Sequence, residues 1–299
     1  MLTEEILILS RAVHFGSCLA LLAIFAVRLI VEPPALDDGR AARRMAGLCL
    51  ALAAGSGFLW FWASAAGMNG SGLIEALNWP LFQLVLTQTP PGQAWMFRCG
   101  VGVILALLLC FARRGWSWWV GAALAAALVG SIAWLGHAGA SADASRPWML
   151  AADVTHLLAA SLWPAGLLPF ALLLRRRMKA GAIPEARAAV RRFSAISLGA
   201  VAVVVASGTV NALFLVGSFH ALVSSDYGRL LMVKLALFAA ALALGAWNLL
   251  IHKPRLESSP GAMAAIARKV WIEAALASLI ILVVAILGTL PPANAPPNP

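Results

Sequence analysis

The chain has 299 residues, 62% of them hydrophobic and 11% charged, with a formal net charge of +10. Its mean hydropathy of +0.89 lies far above the range of soluble domains, which excludes a water-soluble globular protein and makes the chain membrane-embedded. The excess of cations reads as a topology signal once their positions are followed, and no nucleic-acid footprint is read in it.

In chain order, the acidic start Met1-Leu2-Thr3-Glu4-Glu5 lacks a basic region, so no cleavable signal peptide is expected. Eight apolar segments follow, near 5–31, 45–68, 93–112, 116–136, 147–174, 193–216, 228–251 and 267–290. Each is long enough to cross a bilayer core of about 30 Å, which takes about 20 helical residues. With no strand signal for a closed barrel, each satisfies its backbone as a helix. Between the second and third segments, 73–91 forms a loop whose short apolar stretch, Trp79 to Thr87, is expected to lie at the membrane interface. The Pro-rich end, 291–299, is expected to be a disordered tail. Cys18, Cys49, Cys99 and Cys110 all fall within spans and show no CxxC spacing, so no disulfide framework is expected.

Basic residues collect after the odd-numbered spans. They are Arg40, Arg43, Arg44, Arg113, Arg114, Arg175, Arg176, Arg177, Lys179, Arg187, Arg191, Arg192, Lys253, Arg255, Arg268 and Lys269. The loops on the other side carry Arg146 alone. The positive-inside rule places the basic loops in the cytoplasm and both termini on the outer side of the membrane.

The two halves of the chain repeat. His14 and His156 each open a long apolar run; Ser56-Gly57 is matched by Ser207-Gly208. Thr89-x-x-Gly92-x-x-x-Met96-x-Arg98 is echoed by Ser225-x-x-Gly228-x-x-x-Met232-x-Lys234. The expected architecture is an all-α membrane protein of eight transmembrane helices, arranged as two parallel four-helix repeats, 1–136 and 137–290. An even number of helices per repeat relates them by a pseudo-two-fold axis along the membrane normal. Repeat halves commonly enclose a site at their interface, so the matched histidines mark a candidate.

Polar side chains inside spans are costly and usually have a task. In the outer half these are Arg11, His14, Arg98, His137, Asp153, His156, Asn211, Asp226, Arg229 and Lys234; in the inner half, Asn248 and Glu273. Arg11 stands three residues before His14, as Asp153 does before His156, and an Arg11–Asp153 ion pair across the repeat interface is expected. His14 and His156 are expected close together as one site, with His137 at its outer boundary; hydrogen-bonded core histidines are the competing reading. Cys18 lies one turn from His14 on the same face. Asn248 and Glu273 fit a helix–helix hydrogen bond.

At this point the residues resemble the CopD/PcoD copper-resistance family of bacterial inner-membrane proteins. The resemblance rests on His156-Leu-Leu-Ala-Ala-Ser-Leu-Trp163-Pro164-Ala165-Gly166-Leu-Leu-Pro169, preceded by Gly136-His137-Ala138. Arg192-Phe193-Ser194, Ser207-Gly208-x-x-Asn211, Tyr227-Gly228-x-Leu-Leu-x-x-Lys234 and Arg268-x-Val270-x-x-Glu273 carry it further, most clearly over 130–292. Family members carry Trp-hydrophobic-Gly-Gly-Leu where this chain has Trp163-Pro164-Ala165-Gly166. Pro164 and Pro169 are expected to kink the fifth span. The resemblance implies copper import and copper resistance, beside a periplasmic CopC-like copper-binding protein.

Imidazole, thioether and thiolate all suit copper. The metal candidates are His14, His156 and His137, with Cys18, Met96, Met149 and Met232 as accessory ligands; the methionines read equally as packing residues. Arg11, Asp153, Arg98, Lys234, Asn211 and Glu273 form the expected intramembrane polar network. Arg98 and Lys234 fit a copper path poorly; they are expected to snorkel outward or to pair with Asp153 and Asp226. They would suit haem propionates, so a b-type haem protein with His14 and His156 as axial ligands is the alternative. No P-loop, GxSxG or HExxH motif occurs, which favours a transporter over an enzyme.

Overall fold

The computed structural model of the protein describes residues 2–32, 39–68, 79–112, 114–141 and 144–294. Helices account for almost all of them, and no strand occurs among the described residues. The elements are α1 (Leu2–Ala26), α2 (Arg40–Met68), α3 (Trp79–Gln88), α4 (Pro90–Phe111), α5 (Trp116–Gly130), α6 (His137–Ala140), α7 (Arg146–Leu162), α8 (Leu167–Lys179), α9 (Ile183–Leu215), α10 (Phe219–Ser224), α11 (Asp226–Trp247) and α12 (Pro260–Leu287). A π turn, Val27–Val31, extends α1, and another, Asn248–His252, extends α11.

Among the described residues eight spans are long and apolar enough to cross a membrane, so the chain is a multi-pass membrane protein. The fifth is built from α7 and α8, with a break at Trp163–Gly166. Pro164 causes that break, because its ring and missing N–H interrupt the helical ladder. Pro169 falls in the first turn of α8, where a missing N–H costs nothing, so the second expected kink does not occur. The break is filled tightly: a side chain at Gly166 would meet the Leu162 carbonyl oxygen at 2.5 Å and Phe193 at 3.3 Å, and Phe170 stacks on Phe193 at 4.0 Å.

Two helix breaks share one construction. Short α3 precedes α4, and short α10 precedes α11. Thr89 caps α4 by accepting from the Gly92 N–H, and Ser225 caps α11 by accepting from the Gly228 N–H. A side chain at Gly92 would strike the Val85 and Leu86 carbonyls, and one at Gly228 the Leu222 and Ala221 carbonyls. Glycine is therefore required where each short helix folds back on the next. α3 covers the apolar stretch expected at the interface; Phe82 packs edge-on to Phe61 while Trp79 and Leu84 stay exposed. The expected loop residues 73–78 lie outside the described residues, as do Arg113 and residues 295–299 of the expected tail. Of that tail, Asn294 is tied down, donating its side-chain amide to the Phe214 carbonyl at 2.6 Å and its N–H to the Leu215 carbonyl.

α1 and the α7–α8 span form the centre; 67% and 61% of their most apolar windows are buried, against 11% for α9 and 6% for α11 at the rim. α1 packs on α2, α5 and α12, while α7 packs on α9 and α5. α4 packs on α5, and α11 on α12. One apolar core joins Phe15, Leu21, Phe25, Trp60, Trp95, Leu105 and Trp118; a second joins Val31, Trp163, Phe170, Phe193, Met263 and Val270. At one end of the bundle Glu32 accepts from Arg177 at 2.6 Å, and Arg192 donates to the Val31 carbonyl, stitching the end of α1 to α8 and α9.

Candidate functional site

His14 projects from α1 into a closed box. Its Nδ1–H donates to the Ala53 carbonyl of α2 at 2.8 Å, since a carbonyl can only accept. That fixes the neutral tautomer, leaving the Nε2 lone pair to accept from Arg98 Nη2 of α4. Trp60 and Trp95 stand edge-on to the imidazole at 5.5 and 5.2 Å. Gly57 provides the fourth wall: a side chain there would reach 3.0 Å from the ring and 2.9 Å from Trp95. Cys18, one turn along α1, sets its sulfur 3.6 Å from Nε2.

Arg98 neither reaches outward nor meets a carboxylate, in contrast to both expectations from the sequence. It is buried, and its Nη1 donates to the Leu128 carbonyl and Ser131 hydroxyl of α5 and the turn after it. Nη2 covers His14 and Cys18, the latter at 3.4 Å. The Trp95 ring lies 5.3 Å from the guanidinium carbon. Neutral acceptors and an aromatic face thus replace a counter-ion around this buried charge.

His156 repeats the plan on α7. Ser207 Oγ donates to the Val203 carbonyl at 2.6 Å, so it accepts from the His156 Nδ1–H at 3.1 Å. Gly208 gives the ring room as Gly57 does; a side chain there would stand 3.1 Å from Cε1. Both imidazoles thus donate their Nδ1–H to the next long helix in the chain, α2 for His14 and α9 for His156. Lys234 lies in the electrostatic neighbourhood of His156 and Asp153, with no direct ion pair among the described residues. His156 Nε2 has no hydrogen-bond partner there, whereas the Nε2 of His14 is occupied.

The other expected residues divide. The Arg11–Asp153 pair is not formed. Arg11 instead lies over Trp60 at 4.9 Å and Phe15 at 5.6 Å, and packs so closely on Gly288 that no side chain fits there. Trp60 of α2 and the end of α12 hold the guanidinium instead of Asp153. Asp153 Oδ2 comes within 4.0 Å of where a side chain at Gly136 would begin. His137 is half-buried beside Arg11 and the Leu287 backbone, edge-on to Tyr227 at 6.0 Å, and its Nε2 is buried without a partner. Burial and Arg11 push its pKa down against the opposing pull of the Leu287 backbone, favouring neutral imidazole. Asp226 pairs at the surface with Arg229 at 3.4 Å. Asn211 is half-buried one turn beyond Ser207. Met96 and Met232 are exposed on the bundle surface, and Met149 accepts from Ser145 at 3.6 Å. Asn248 donates to Glu273 at 2.8 Å, the helix–helix bond expected.

Cys18, Cys49 and Cys99 are free thiols. Among the described residues no three His, Cys, Asp or Glu side chains gather as a metal cluster. The partners of His14 all belong to the first half and those of His156 to the second. With both nitrogens of His14 engaged, the arrangement gives no support to an axial haem ligand there. Trp60, Trp95 and Ser131 were not singled out from the sequence, although Trp95 stands three residues before Arg98, on its face.

The fold and site define a multi-pass helical membrane protein with two matched histidines among its helices, His14 buried and His156 half-buried. Comparison with known proteins narrows this class. The family description "Copper resistance protein D-like, N-terminal domain" matches residues 1–148, and "Copper resistance protein D" matches residues 187–287. Copper resistance protein D of Pseudomonas syringae pv. tomato is 34% identical over 241 residues, covering 76% of this chain and 77% of that protein. Copper transport protein CutJ of Bacillus subtilis (strain 168) is 28% identical, over 77% of this chain and 42% of its own greater length. Inner membrane protein YebZ of Escherichia coli (strain K12) is 26% identical, over 77% of this chain and 78% of that protein. No solved structure matches. The chain belongs to the copper resistance protein D family. Both halves are matched, so the likeness reaches further into the first half than the sequence motifs had indicated, while His156 lies between the two matched stretches.

Proposed function

We propose that this protein carries copper across the bacterial inner membrane, taking it up from the periplasm in the service of copper homeostasis and resistance. The observation that carries this reading is the pair of matched imidazoles, His14 buried and His156 half-buried, each held at Nδ1, with Nε2 unpartnered in His156 and met by the displaceable Arg98 guanidinium in His14, in a chain of the copper resistance protein D family. His137, with its unpartnered Nε2 beyond the end of α5, serves as the mouth, and His14 and His156 act deeper. A ligand at a span boundary can collect ions and still release them, as conduction requires.

The eight spans work as two four-helix halves, 1–136 and 137–290, about an axis along the membrane normal. In support, α1 contacts α12 as α7 contacts α5, the caps at Thr89 and Ser225 correspond, and so do the His14–Gly57 and His156–Gly208 contacts. Both termini face the periplasm, where a CopC-like protein delivers the ion. A reporter fused to the C terminus that works only in the cytoplasm would overturn this orientation. The function is tested by metal analysis and an absorption spectrum on one purified sample. Bound copper lost in His14→Ala and His156→Ala is the expected result; stoichiometric haem with a Soret band would overturn it.

A further inference from the structure

We propose that His14 and Cys18 form a two-donor site for a monovalent soft cation, Cu(I), and that Arg98 is its resident plug. This deepens the copper reading above and rests on it.

The geometry is specific to the first half. His14 Nε2 and Cys18 Sγ lie 3.6 Å apart on successive turns of α1 and are both buried. One guanidinium nitrogen, Arg98 Nη2, donates to both. The other, Nη1, is anchored on the Leu128 carbonyl and Ser131 hydroxyl. A positive group therefore already sits where two soft lone pairs converge, and it can swing away at Nη2 while Nη1 keeps its hold. In the second half the position four residues after His156 is Ala160, so no thiol accompanies that imidazole.

The donor set selects the ion. One imidazole and one thiolate are soft ligands suited to Cu(I), which accepts few donors, whereas Zn(II) takes the same donor types in sets of four, which this box does not supply. Beside the Arg98 charge in a low dielectric, a divalent ion also meets more repulsion than a monovalent one. Binding requires a thiolate, so the ion displaces a proton. The Cys18 S–H bond breaks, Cu–S and Cu–Nε2 bonds form, the proton leaves to water, and no electron is transferred. One positive charge enters and one leaves, so the net charge of the box is unchanged. Arg98 is thus a positioning residue whose charge sets selectivity; it does not coordinate the metal.

The test is an anaerobic titration of the full-length purified protein with Cu(I), buffered by a competing Cu(I) chelator. Ultraviolet thiolate-to-copper absorption and proton release into weak buffer are followed together. The wild type should bind one thiolate-ligated Cu(I) and release one proton, with neither Zn(II) nor Cu(II) competing. Cys18→Ser should lose both signals; replacing Cys49, Cys99 and Cys110 by serine should lose neither. Arg98→Met, unplugged, should bind Cu(I) about tenfold more tightly and admit Zn(II), a change of the size seen when groups around a metal site are altered. Arg98→Gln, which keeps an amide for Ser131, is the second variant if Arg98→Met does not fold. Wild-type signals in Cys18→Ser, equal binding of Zn(II), or weaker Cu(I) binding in both Arg98 variants would overturn the proposal. If Cys18→Ser still takes up copper in liposomes and binds Cu(I) like the wild type, this site fails and the transport reading stands. If Cu(I) binds through Cys18 in a chain that moves no copper, the site stands and the transport reading fails.

Discussion

Gly57 and Gly55 lie two residues apart on α2, yet a methyl group should affect them in opposite directions. Nothing lies within 4 Å of a side chain at Gly55, so Gly55→Ala only removes flexibility from a helix. That is worth up to about 1 kcal/mol in favour of the folded protein. At Gly57 the same methyl meets Trp95 at 2.9 Å and His14 at 3.0 Å, both in a packed box. Overpacking costs about 1–3 kcal/mol, and moving the ring strains the Nδ1–H bond to Ala53, worth about 0.5–1.5 kcal/mol. After the same helix gain, Gly57→Ala should still fall below Gly55→Ala by about 1.5–4.5 kcal/mol. Reversible unfolding of both variants in mixed micelles reads the difference. Gly208→Ala, at 3.1 Å from His156, should behave like Gly57→Ala but more mildly. Equal stabilities for Gly55→Ala and Gly57→Ala would refute the claim that the glycine exists to admit the imidazole.

Other consequences follow from the ion pairs and polar contacts. Glu32→Ala should destabilise by about 3 kcal/mol, because it breaks a buried pair with Arg177. Glu257→Ala, which loses exposed contacts to Arg187 and Arg191, should cost less than about 1 kcal/mol; equal losses in the same unfolding assay would contradict this. Asn248→Ala should cost about 0.6–2 kcal/mol by leaving Glu273 without its bond across α11 and α12, and an unchanged unfolding curve would count against it. His137 has its pKa lowered by burial, so the unfolded chain binds the proton more readily than the folded one. Its contribution is intact above the ordinary value of 6.5 and is lost as pH falls below it. His137→Asn should therefore flatten the loss of stability between neutral and mildly acid pH, and an identical pH profile would argue against the burial.

The eight spans, the break at Pro164 and the Asn248–Glu273 bond were legible in the sequence, because hydropathy, proline chemistry and buried polarity act locally. The repeat landmarks were legible too, but their meaning was not. Ser56-Gly57 and Ser207-Gly208 read as matched dipeptides, and only the packing of α1 on α2 and α7 on α9 makes them the walls of imidazole boxes. Charge pairing misled the sequence reading at Arg11 and Arg98, since complementary spacing cannot reveal an aromatic face or a free carbonyl that holds a guanidinium as well as a carboxylate does. Pro169 misled for a similar reason: a proline breaks a helix in its interior but fits its first turn, and the break at Pro164 decides which of these applies.

Copper uptake into proteoliposomes tests the central claim most directly. Vesicles carrying the wild-type chain should accumulate copper faster than empty vesicles and faster than vesicles carrying the His14→Ala/His156→Ala double variant at equal protein content. Equal accumulation by the wild type and the double variant would contradict the account.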